Sequence, residues 1–96
     1  MKRFEWDEEK NKKLIKTRKV SFKQVVTIIT DGKVIDIIRS KNPKYKHQRR
    51  YIIKINEYIY VVPFVEDEDK IFLKTIYPNR KFTKKYQKVI SSHKQL

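Results

Sequence analysis

The sequence predicts a single α+β domain in which two N-terminal helices precede a four-stranded, mainly antiparallel sheet, and a C-terminal helix follows it. Apolar residues recur with a helical period before Gly32 and after Pro78, and with a strand-like period between them. The strand candidates are joined by short connections without crossover helices, which favours antiparallel pairing. Ninety-six residues leave room for one hydrophobic core, so we expect residues 1–96 to form one domain.

The two N-terminal helices are predicted from their capping residues. Asp7 can cap a helix over residues 7–18, whose acidic start and basic end suit the helix dipole. Ser21 and Gln24 have the spacing of a capping box and start the second helix. Its apolar side chains at i, i+3, i+4 and i+7 are Phe22, Val25, Val26 and Ile29. Gly32 then supplies the stop.

Three of the four strands are predicted between residues 34 and 62. The β-branched residues over 34–38 favour a strand, and the ten residues after it form a basic loop. Residues 51–55 and 58–62 are separated by Asn56-Glu57, which predicts a hairpin. Pro63 cannot donate to a strand ladder, so it predicts a bulge or a strand end.

The last strand and the C-terminal helix follow an acidic segment. Glu66-Asp67-Glu68-Asp69, here called the acidic tetrad, predicts the next turn. Residues 71–77 are predicted to form the fourth strand, and Pro78-Asn79 to break it. The apolar residues over 81–92 recur at helical spacing, which predicts an amphipathic helix there.

The charge balance predicts a polyanionic partner. Lys and Arg number 25 against 11 Asp and Glu, which gives a net charge of +14. The first acid-free basic cluster contains Arg39, Lys41, Lys44, Lys46, Arg49 and Arg50. The second contains Arg80, Lys81, Lys84, Lys85 and Lys88. The two clusters flank an apolar middle of the chain.

Several classes of protein are disfavoured by the composition. The chain has no cysteine, so a disulfide scaffold and a thiolate zinc site are excluded, and His47 and His93 alone make a poor metal cage. We therefore predict no metal and no cofactor. The longest apolar stretch, Tyr58 to Val65, is far short of the roughly 20 residues that span a bilayer. Because four of residues 4–9 are acidic and the N-terminus has no apolar run, no secretory signal is expected, and the protein is predicted to be cytoplasmic.

Seven short motifs together resemble the BrnT family of bacterial toxins. The N-terminal motifs are residues 4–11 (FEWDEEKN), Leu14 and residues 20–22 (VSF), and the others are residues 50–53 (RYII), 60–62 (YVV), 73–81 (LKTIYPNRK) and 83–86 (TKKY). The resemblance covers nearly the whole chain. It implies a small, metal-free, RelE-like ribonuclease domain that cleaves RNA and is held inactive by an antitoxin encoded in the adjacent gene.

The same resemblance implies the catalytic residues. Arg80 and Arg50 would bind phosphate, Lys10 would act as an acid or base, and Tyr86 is a further candidate. An arginine suits the phosphate role because its planar, permanently charged fork can bind two phosphate oxygens. Each residue also has a structural explanation: Arg50 as a solvated strand position, Arg80 as a partner of free carbonyls or of the acidic tetrad, Lys10 as a solvated helix residue, and Tyr86 as core.

Residues of both basic clusters are candidates for binding RNA. They are Arg39, Lys41, Lys44, Lys46, His47, Arg49, Lys84 and Lys85. Tyr45 and Tyr51 are interleaved with the first cluster, which is typical of single-stranded RNA held by phosphate contacts and base stacking. A solvated charged loop is the alternative interpretation.

Three functions remain open on the sequence alone. The first is an endoribonuclease toxin with RNA and an antitoxin as partners. The second is a nucleic-acid-binding protein, derived from such a toxin, that does not cut. In the third, the basic surface mainly docks an acidic protein.

Overall fold

The structure is a computed structural model and describes residues 2–39, 42–45 and 48–86. This part of the chain is α+β, as predicted. Its elements are β1 (Arg3–Glu5), α1 (Glu8–Arg18), α2 (Phe22–Thr30), β2 (Asp36–Arg39), a 3₁₀ turn (Pro43–Tyr45), β3 (Arg49–Ile55), β4 (Tyr58–Glu66), β5 (Lys70–Leu73), β6 (Tyr77–Pro78) and α3 (Arg80–Lys85). The C-terminal helix was predicted over residues 81–92, of which 87–92 lie outside the described residues.

The sheet is mixed and larger than predicted. Its strand order is β1-β5-β4-β3-β2, and the short β6 also pairs with β4. β1 lies parallel to β5, with Phe4 opposite Ile71, and the other pairings are antiparallel. The prediction of four strands was therefore wrong in number. β1 has three residues, too few to show a period, and its pairing depends on β5, more than 60 positions away in the sequence.

The predicted caps and turn of the first 57 residues are confirmed. The Asp7 carboxylate accepts the N–H groups of Glu9 and Lys10, and the Ser21 hydroxyl accepts that of Gln24. Asn56 and Glu57 both have positive φ angles, 51° and 68°, which a tight hairpin turn requires.

Pro63 lies inside β4 rather than at its end. β4 continues through this residue to Glu66, so the predicted strand end at Pro63 was wrong. The Pro63 carbonyl accepts the N–H of Lys74 at 2.8 Å, which shows that its backbone polar groups face the β5 and β6 side. There the partner of β4 changes from β6, at Val61 opposite Tyr77, to β5, at Phe64 opposite Leu73. The facing segment has one residue more than β4 between these pairs, so the predicted bulge is confirmed, and the missing N–H falls where the ladder is interrupted.

The predicted strand over residues 71–77 is divided into β5 and β6. Between them Ile76 is fully buried, and its carbonyl accepts a hydrogen bond from the Arg18 guanidinium. Pro78 belongs to β6 and does not break it. The chain turns at Asn79 instead, whose side chain accepts the N–H of Phe82 and caps α3.

Two apolar clusters cover the two faces of the sheet. The larger lies between the sheet and the pair α1 and α2, and we call this side the helical-pair face. It includes the fully buried Phe22, Val25, Ile53 and Leu73. The smaller cluster comprises Ile52, Ile59 and Val61 with the partly buried Phe82 and Tyr86 of α3 packed against it. We call this second side the α3 face.

Candidate nucleic-acid interface

Arg50 lies on the α3 face of the sheet. In β3, Tyr51 joins the larger cluster and Ile52 the smaller, so the alternation of a strand puts Arg50 on the same side as Ile52. It is flanked by Ile38 of β2 and Pro63 of β4. Its Nε is buried and has no hydrogen-bond partner within the described residues. This atom is a donor without an acceptor in the described part of the fold.

Asp36 and Tyr86 form a hydrogen-bonded pair next to Arg50. The Tyr86 hydroxyl donates to Asp36 Oδ2 at 3.2 Å, which joins the end of α3 to β2. Asp36 is opposite Ile52, two pairs along from Ile38 and Arg50, so Asp36 and Arg50 are diagonal neighbours at about 7–8 Å. Burial, followed by the bond to Asp36, raises the pKa of Tyr86 above its usual value. We call Arg50, Asp36 and Tyr86 the Arg50 site.

Arg80 lies at a different part of the α3 face. It is the first residue of α3 and is exposed, and the Asn79 N–H before it donates to the Ile59 carbonyl. Ile59 is four positions along β4 from Pro63, the residue opposite Arg50. At about 3.3 Å per residue along a strand, the Cα atoms of Ile59 and Pro63 are about 13 Å apart. The structure therefore places the two predicted phosphate ligands at two positions along one face.

Lys10 lies on the other side of the sheet. It belongs to α1, which packs against the helical-pair face through the buried Leu14, and its side chain is exposed. The structure does not bring Lys10 to the face that holds Arg50. The further candidate, Tyr86, does lie on the face that holds Arg50, where it bonds Asp36. Asp36 was not singled out from the sequence, although it is the one acid within the apolar segment 34–38.

Arg49 points to the opposite face from its neighbour Arg50. Its guanidinium forms an ion pair with Glu66 and lies 5.2 Å from the centre of the Phe64 ring. Lys2 Nζ bonds the same carboxylate at 2.6 Å. This bond, followed by the charges of Lys2 and Arg49, lowers the pKa of Glu66 despite partial desolvation. The charge of Arg49 is thus matched within the fold, a contact hidden from the sequence because Glu66 is 17 positions away.

The other predicted RNA ligands are spread over the surface. Arg39 is exposed at the end of β2, opposite Arg49, and Lys44 is exposed in the 3₁₀ turn. Lys84 and Lys85 are exposed on α3, and Lys85 Nζ lies 5.5 Å from the centre of the Tyr86 ring. The remaining predicted ligands, Lys41, Lys46 and His47, lie outside the described residues.

Residues 2–39, 42–45 and 48–86 contain no group of three or more His, Cys, Asp or Glu side chains that could hold a metal ion. None of its helices is long and apolar enough to cross a membrane.

Comparison with known proteins gives no relative. The chain matches no protein-family model, no curated protein and no solved structure.

Proposed function

We propose that the chain is the toxin of a toxin–antitoxin pair, a metal-independent endoribonuclease that cleaves cellular RNA and arrests growth. The resemblance of its motifs to the BrnT family suggests the activity and an antitoxin encoded in the adjacent gene. The observation that carries the proposal is the buried Arg50 Nε without a partner among the described residues. A buried donor left unsatisfied is costly, and a phosphate oxygen would satisfy it and match the charge.

In this proposal the Arg50 site binds the reacting phosphate and activates the 2′-hydroxyl. The RNA 2′-oxygen attacks phosphorus and the bond to the 5′-oxygen breaks, leaving a 2′,3′-cyclic phosphate and a 5′-hydroxyl. Arg50 binds the phosphate oxygens as negative charge develops on them. The Asp36 carboxylate, held by the Tyr86 hydroxyl, takes the 2′-hydroxyl proton, and water on the opposite side of phosphorus gives a proton to the leaving 5′-oxygen. Arg80, farther along the face, binds a flanking phosphate.

Induced expression of active-site variants tests the proposal. Wild type should arrest growth and create new RNA 5′ ends, and Arg50→Ala and Arg80→Ala should do neither. Arg49→Ala is the matched control, since it removes the same charge from the adjacent position on the other face. Purified wild type should cut RNA in excess EDTA. Growth arrest and unchanged cleavage by a soluble, folded Arg50→Ala protein would contradict the assignment.

A second candidate is a nucleic-acid-binding protein that does not cleave. It is favoured by the positions of Lys10 and Arg80, because the three residues predicted as a catalytic group do not meet at one point. In this case RNA would bind with no product, and Arg80→Ala would cause a modest loss of affinity. Tyr86→Phe would change nothing that RNA mapping can detect.

A further inference from the structure

β2 is an open edge of the sheet. It ends the strand order on one side, and among the described strands it pairs with β3 alone. Natural edge strands are commonly guarded by a proline, by a central charge or by a covering segment. At the centre of β2 stand Ile37 and Ile38, and the Ile37 side chain is 48% exposed. Ile15 is the other large apolar residue that is exposed in the described part of the chain. It lies on α1, so it offers no strand edge.

The surroundings of this edge are basic. Arg39 ends β2, is exposed, and has no ion pair within the described residues. From Arg39 to Arg50 the sequence contains no acid. These charges favour an acidic occupant and oppose a second copy of the chain, whose net charge is also +14. A sheet edge that pairs on one side only, together with an exposed isoleucine, suits an extended polypeptide better than RNA, which has no matching amide ladder. The Ile37 N–H bonds the Asp36 carboxylate, so an added strand would use the remaining backbone groups of this edge.

We propose that β2 takes an extended acidic segment of a partner protein as an additional strand of the sheet. An acidic side chain of the segment pairs with Arg39, and an apolar one covers Ile37. The inference deepens the proposed function and rests on it only for the existence of a protein partner. Asp36 connects this edge to the Arg50 site, because its carboxylate accepts both the Ile37 N–H, at 2.8 Å, and the Tyr86 hydroxyl. The added strand therefore lies beside the proposed catalytic groups.

The test uses synthetic octapeptides and the whole chain. The probe repeats Glu-Glu-Val-Val, so that residues two apart on one face of the added strand are a glutamate and a valine, and a second peptide has the same sequence with methylated backbone nitrogens on one edge. Affinities are measured by calorimetry, and the contact is located by amide chemical shifts. The variants are Ile37→Lys and Arg39→Glu. Arg3→Glu is the matched control, because it makes the same charge change on β1, the strand at the other edge of the sheet.

Strand addition predicts that the probe shifts the amides of residues 36–39 and that either β2 variant weakens binding about tenfold. The methylated peptide should bind at least as weakly, and Arg3→Glu should bind like wild type. Equal weakening by Arg3→Glu and Arg39→Glu, or equal binding of both peptides, would overturn the proposal in favour of diffuse attraction. A dimer that Ile37→Lys dissociates would assign the edge to a second copy. Displacement of the probe from β2 by oligouridylate would assign it to RNA. Because no RNA is cut in these measurements, their outcome is independent of the ribonuclease test.

Discussion

Replacing Ile53 by alanine should cost the domain much more stability than the same replacement at Ile37. Ile53 is fully buried in the larger cluster, whereas the side chain of Ile37 is 48% exposed. The same atoms are removed at both positions, so the extent of burial, in the central strand β3 and in the edge strand β2, is the main difference between the two variants.

The expected magnitude follows from the atoms removed. Truncating Ile53 removes roughly three buried carbons at about 0.8 kcal/mol each, and the cavity left behind raises the loss to about 3–4 kcal/mol. At Ile37 about 1 kcal/mol is expected, because half of the side chain is already in water. For a chain of 96 residues the Ile53 variant should melt roughly 15 °C or more below wild type.

Urea unfolding followed by circular dichroism measures both losses. Ile53→Val serves as a graded control and should cost about 1 kcal/mol. The slope of free energy against urea should stay that of wild type, since the fold is the same. Equal losses at Ile53 and Ile37 would refute the burial pattern and, with it, the assignment of strand faces that puts Arg50 opposite the helical pair.

Three further predictions concern the charged groups. The plot of log affinity for single-stranded RNA against log salt concentration should become shallower by about 0.7 in Arg50→Ala. In Arg49→Ala the slope should change little, because Glu66 already matches that charge. Tyr86→Phe keeps the packed ring but removes the hydrogen bond that holds Asp36, so RNA cleavage should slow while the melting temperature stays within a few degrees of wild type. The pKa of Glu66 is lowered from 4.5, so its ion cluster stabilises the fold above about that pH and loses this effect as the pH falls through the folded-state pKa. The stability gap between wild type and Glu66→Gln should therefore shrink in acid.

The features predicted well from sequence are those decided by nearby residues. Asp7 and Ser21 cap helices whose N–H groups lie within three positions, and the Asn56-Glu57 turn joins strands that are adjacent in sequence. The burial of the apolar residues of α2 was predicted less well. Val25 is fully buried but its neighbour Val26 only partly, because a helical period defines a side of the helix and not the depth of each residue.

The features that were missed depend on contacts between distant residues. β1 is a strand because Phe4 meets Ile71, and residues 71–77 are divided because β4 changes partner along its length. Neither contact leaves a local pattern in a segment of a few residues. The strand end expected at Pro63 was wrong for the same reason, since the cost of a proline in a strand depends on whether a partner carbonyl lies opposite its nitrogen.

The same contrast between local sequence and distant contacts distinguishes two consecutive residues of the candidate site. Arg49 and Arg50 are both in the first basic cluster, and composition gives no reason to separate them. The alternation of β3 sends them to opposite faces, where Arg49 meets Glu66 and Phe64 while the Arg50 Nε stays without a partner in the described part. Phosphate binding is therefore expected at Arg50 and not at Arg49. If the two alanine variants lose RNA affinity equally, the surface acts as a sum of charges, and no site should be assigned to Arg50.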